Sequence, residues 1–110
     1  MMMAQILREL GAQVLGPAAT LAEAQSLPQD AIDAAVLDVN IDGAYIYAFA
    51  DQLKARQVPL AFVTGYEADY IDERFAASPI LAKPIEPQEL AAALAGLFYQ
   101  GEEKRAALAG

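Results

Sequence analysis

The sequence predicts a single α/β domain built on a mostly parallel, doubly wound sheet, and three observations carry that expectation. The segments AAVLD (34–38) and VPLAFVTG (58–65) are apolar runs without alternation, as in strands covered on both faces. Segments of helical periodicity separate them, which implies crossover connections with helices on both sides of the sheet. At 110 residues and 56% apolar content, the chain is large enough for one real core.

Taken in order, Met3, Ile6, Leu7 and Leu10 recur at helical spacing and Gly11 follows, so the chain begins inside a helix that stops there. AQVLG (12–16) reads as a strand. Thr20 and Glu23 form a T-x-x-E capping box that opens a second helix, with Leu21, Ala24 and Leu27 inward and Pro28 just past its end. After AAVLD the chain turns through Asn40 and Gly43 into a third helix. Its inner face is Ile46, Phe49, Ala50 and Leu53, with Asp51, Lys54 and Arg56 elsewhere. VPLAFVTG is the next buried strand. A weaker helical stretch around Tyr70, Ile71 and Phe75 leads to PILAKP (79–84), a brief strand closed by Lys83-Pro84. Pro87 suits the first turn of a last helix with Leu90, Ala93, Leu94, Leu97 and Phe98 on its apolar face. The tail GEEKRAALAG (101–110) reads as a frayed helix extension or linker, giving a domain over residues 1–100 and a short tail.

Fifteen acidic against seven basic residues leave a formal charge of -8, so the surface field repels nucleic acid and anionic lipid. A protein partner or a bound cation is the better expectation. With neither cysteine nor histidine, disulfides, thiolate chemistry and the common zinc and copper sites are excluded, whereas oxygen ligands suited to magnesium remain. Arg8 and Glu9 come too early for a signal peptide or a membrane span, so a cytoplasmic location is expected.

A parallel sheet places its site at the strand C-termini, and Asp38, Thr64 and Lys83 each end a different predicted strand. Singly, each has an ordinary reading as a loop cap, a turn hydroxyl or a solvated charge. Together they converge on one crevice.

A strand-end aspartate, a hydroxyl residue ending the next strand and a Lys-Pro ending the one after resemble the receiver domain of bacterial two-component response regulators, which has a flavodoxin-like fold. The resemblance runs from about Met1 to Phe98. FVTGY (62–66) is further similar to the alphaproteobacterial single-domain group known by its FATGUY-type motif, with Val63 in place of the alanine. The resemblance implies that Asp38 accepts a phosphoryl group from a histidine kinase or phosphotransfer protein, beside a magnesium ion. It also implies that Lys83 neutralises the phosphoryl oxygens and that Thr64 hydrogen-bonds the new phosphate and pulls on its loop. Asn40 would offer its backbone carbonyl to the magnesium ion. A protein target would bind the face made by the last two helices and the strand between them.

Two positions depart from that pattern. Ile80 stands where many family members carry a switching Tyr or Phe, and Tyr66, one helical turn from Tyr70, is a possible substitute. The family's first strand, with the acidic pair that binds magnesium, has no counterpart ahead of the first helix; Glu9, Glu23 and Asp42 are poor replacements. In the family's 2-1-3-4-5 strand order that strand lies between AQVLG and AAVLD. The expectation is therefore either a truncated sequence whose first strand lies upstream of Met1, or an incomplete sheet closed by direct pairing or by strand exchange with another copy, giving a homo-oligomer with weak magnesium affinity.

Two other readings compete. A pseudo-receiver would bind partners through the same surfaces without phosphorylation. A haloacid-dehalogenase-type phosphatase would need a second aspartate where Asn40 stands, so no enzymatic activity is expected.

Overall fold

The computed structural model describes residues 3–9, 11–65, 73–75, 77–83, 85–97 and 105–109. The capping signals act as read. Helix α1 (Met3–Glu9) ends in a Schellman motif, with Gly11 at φ +92° donating its N–H to the Arg8 carbonyl (3.0 Å) and Ala12 donating to Leu7 (2.9 Å). Helix α2 (Leu21–Gln25) opens on Thr20, whose Oγ1 accepts from the Glu23 N–H at 3.1 Å, while the Glu23 carboxylate accepts from the Ala19 N–H at 2.8 Å. Helix α3 (Tyr47–Ala55) buries Phe49, Ala50 and Leu53, and Pro87 is the first residue of α4 (Pro87–Leu97). Of the expected helix around Tyr70, Ile71 and Phe75, residues 66–72 lie outside the described residues, and Glu73–Phe75 is a single 3-10 turn.

The strands that follow these helices assemble into one five-stranded parallel sheet. In chain order they are β1 (Gln13–Ala18), β2 (Ala34–Asp38), β5 (Leu60–Thr64), β6 (Ile80–Ala82) and β7 (Arg105–Ala109), and their spatial order is β1-β7-β2-β5-β6. A separate hairpin, β3 (Asn40–Ile41) with β4 (Ala44–Tyr45), is turned by Asp42 and Gly43, both at positive φ, as a primed two-residue turn requires.

The order corrects the expectation for the tail. Residues 105–109 are neither a helix extension nor a linker but an interior strand, parallel to β1 on one side and β2 on the other. The sheet is thus complete within one chain, and the gap that motivated direct β1–β2 pairing or strand exchange is filled. The physical reason is the slot itself. Two neighbouring strands with unpaired ladder groups between two apolar layers cost more than ordering a short stretch of small residues into the space.

Side-chain alternation along β7 serves both layers. Ala107 and Ala109 pack with Ala24, Leu37, Phe49 and Phe62 on the α2/α3 side; Ala106 and Leu108 pack with Leu7, Val36, Val63 and Leu90 on the α1/α4 side. Its register is fixed at the strand's start by a clamp. Arg105 donates from Nε to one Asp33 carboxylate oxygen (2.9 Å) and from Nη2 to the other (3.2 Å), and its backbone N–H donates to the same carboxylate (2.9 Å). The Asp33 N–H in turn donates to the Arg105 carbonyl at 2.8 Å. On the other flank Gly16, at φ +101°, lets β1 bulge against β7. A Cβ at Gly16 would lie 2.7 Å from the Leu108 carbonyl oxygen, so only glycine permits that approach.

The hydrogen bonds from Arg105 hold the Asp33 carboxyl below its ordinary range, against a weaker opposing effect of burial. A carboxyl depressed in the folded state adds stability above its unfolded pKa and loses it as the pH falls through the folded one. Urea unfolding should therefore find the wild type more stable than Asp33→Asn by about 1 kcal/mol at pH 7. That difference should vanish as the pH is lowered below the ordinary carboxylate range, about 4.

Candidate functional site

The C-terminal ends of β2, β5 and β6 advance by one residue per strand. Asp38 pairs with Val63, and Thr64, the next residue on β5, pairs with Ala82; Lys83 follows Ala82 directly. Backbone bonds hold this staircase just past the strands, from the Val39 N–H to the Val63 carbonyl (2.9 Å) and from the Lys83 N–H to the Thr64 carbonyl (2.9 Å). All three predicted site residues are thus brought to one edge of the sheet.

Lys83 Nζ donates to Asp38 Oδ2 at 2.6 Å. Strands β2 and β6 flank β5, so their backbones are roughly 9–10 Å apart, and only a long cationic side chain bridges that span. The Asp38 carboxylate is 15% exposed and the Lys83 side chain 45%. One side of the ion pair is thus sheltered while the other opens to water.

The second Asp38 oxygen, Oδ1, accepts from the Asn40 N–H at 3.2 Å, and Asn40 Oδ1 accepts from the Gly43 N–H at 3.2 Å. The run after the aspartate is therefore a fixed hairpin that supports the carboxylate. It also presents Tyr45, opposite Asn40 in the ladder, stacked on Tyr47 at 5.7 Å between ring centroids. Asn-x-x-Gly and Asp-Gly are the local signals for this support.

The remaining candidates are not gathered here. Glu23 belongs to its capping box, Glu9 accepts from Gln5 near the end of α1, and Asp42 sits exposed at the hairpin tip. No group of three acidic side chains able to hold a metal ion occurs among the described residues. Ile80, in β6, is 43% exposed. Tyr66 and Tyr70 lie outside the described residues, as does Pro84. No helix among the described residues is long and apolar enough to cross a membrane.

A parallel α/β sheet with Asp, Thr and Lys at three adjacent strand ends defines a receiver-type domain. The solution structure of SdrG from Sphingomonas melonis Fr1 is similar, with 38% sequence identity and a TM-score of 0.77 over 88% of this chain and 84% of that one. The chain belongs to the same family as SdrG, a single-domain response-regulator-like protein, and carries the receiver fold. No family model matches the chain, and no curated protein does.

A partly exposed ion pair contributes about 0–1 kcal/mol to folding. Lys83→Ala should accordingly shift the urea midpoint little, with a loss under about 1 kcal/mol. A loss several times larger would show that the pair is a structural bond rather than a poised site.

Proposed function

We propose that the protein is a phosphoacceptor receiver of two-component signalling, of the FATGUY-type single-domain group, phosphorylated on Asp38 by a histidine kinase or phosphotransfer protein. The observation that supports this reading most is the Asp38–Lys83 contact, which holds a sheltered carboxylate against a cation at the open ends of three strands. In the transfer step one Asp38 oxygen attacks phosphorus, the bond from phosphorus to the donor breaks, and the electron pair leaves with the donor group. Lys83 moves from the carboxylate to the phosphoryl oxygens and offsets their added charge. Thr64, next to Asp38's neighbour on β5, donates its hydroxyl to a phosphoryl oxygen and passes the new contact to the chain that follows. The modified domain then changes its affinity for a protein target through α4, β6 and the chain before them. It is a switch, not an enzyme, and it works in the cytoplasm.

Magnesium fits this donor set poorly. Among the described residues an octahedral ion would find one carboxylate, Asp38, already shared with Lys83, and the backbone carbonyl of Asn40, which leaves most positions to water. Affinity for the ion is therefore weak, and the charge compensation assigned here rests on Lys83.

The same observation favours a second reading, a phosphorylation-independent interaction module, because Lys83 already neutralises Asp38 in the unmodified chain. Acetyl phosphate separates the two. Incubated with and without magnesium and followed by intact-mass spectrometry, the wild type should gain one phosphoryl group, slowly and with little dependence on the metal. Asp38→Asn should gain none, and Thr64→Ala should be modified without the chemical-shift changes that spread beyond β5 in the wild type. A chain that is never modified, or an Asp38→Asn variant modified at the wild-type level, rules out the phosphoacceptor reading.

A further inference from the structure

We propose that the slot between β1 and β2 is a strand-docking site able to take the C-terminal strand of a second copy of this chain, so that two copies exchange β7. The proposal stands apart from the phosphoacceptor reading, since it concerns the slot between β1 and β2 rather than the strand ends that carry Asp38, Thr64 and Lys83.

The described backbone groups that pair with β7 belong to β1 and β2 and to Asp33, whereas β7 itself is the last described element, after residues 98–104. The slot recognises its occupant at two places. At the start, Asp33 takes an arginine by three hydrogen bonds. Three residues on, Leu108 enters the apolar layer formed by Leu7, Val36 and Leu90. The positions between and after are alanines, fully covered and small enough to pass between packed layers. An Arg-x-x-Leu strand in parallel register is therefore what the slot selects, and each copy of the chain carries one.

Charge favours the same occupant. The copies repel at long range through a formal charge of -8 each, and at contact the Arg105 guanidinium of the strand meets the Asp33 carboxylate of the slot. Reciprocal exchange uses identical contacts twice and closes as a two-fold dimer. Within one chain the strand competes at an effective concentration on the order of millimolar, as for a short tether, so exchange becomes measurable at protein concentrations near that value.

Two measurements test it. Val14 and Ala106 are register partners, and the chain has no cysteine, so Val14→Cys and Ala106→Cys variants can be mixed, concentrated, incubated and oxidised. Exchange predicts a crosslinked heterodimer that requires incubation of the mixture. Replacing the second variant by one with cysteine at exposed Gln52 should abolish it. In the second measurement, a peptide of residues 104–110 is titrated into the isotopically labelled wild-type chain and followed by NMR. Half of the Arg105 signal should move to its free-chain position at about millimolar peptide, and an Arg105→Ala peptide should need roughly tenfold more. The proposal is overturned by the absence of peptide displacement, by equal action of the two peptides, or by a crosslink as strong with Gln52→Cys as with Ala106→Cys in folded variants.

Discussion

A parallel strand buried on both faces has no water to turn to, so each of its ladder groups must find a backbone partner. Here that demand falls on β2, which is buried over Ala34–Leu37, does not pair with β1, and is joined to that half-exposed edge strand through β7. The five residues of β7 complete two ladders at once and place Ala107 and Ala109 in one apolar layer, Ala106 and Leu108 in the other. Because Ala109 pairs with Leu37, the residue before Asp38, the same strand also holds the base of the site in place.

The site is a consequence of strand ends in register. Stepping by one residue from β2 to β5 to β6 brings a carboxylate, a hydroxyl and an ammonium group to one edge without any loop having to bring them together. What the loops add is stiffness. The Asn40–Tyr45 hairpin fixes the residues after Asp38, and on the far side of α3 the Arg74 guanidinium grips Asp51 with two bonds of 2.9 Å while lying over the Phe75 ring. The structure therefore combines a rigid frame around the aspartate with a long lysine that can change partners.

Much of this was legible in the chain because the signals are local. The T-x-x-E box, Gly11, Pro87 and the unbroken runs AAVLD and LAFVT name their elements from residue type alone, and their ends point to Asp38 and Thr64. The interior strand β7 was not legible for an equally physical reason. RAALA has no β-branched or aromatic residue, follows a charged stretch, and on propensity favours a helix; it is a strand only because a slot formed by residues some 70–90 positions earlier requires one. The hairpin shows the opposite limit. Asp42-Gly43 is a strong turn signal, but strands of two residues have no periodicity to read.

Amide hydrogen exchange on residues 105–109 tests the position of β7 between β1 and β2 most directly. If the sheet depends on this strand, its amides should exchange as slowly as those of Val36 and Phe62, through global unfolding. Exchange of Ala106 to Ala109 at the rate of an exposed terminus, with β2 and β5 still protected, would contradict the account.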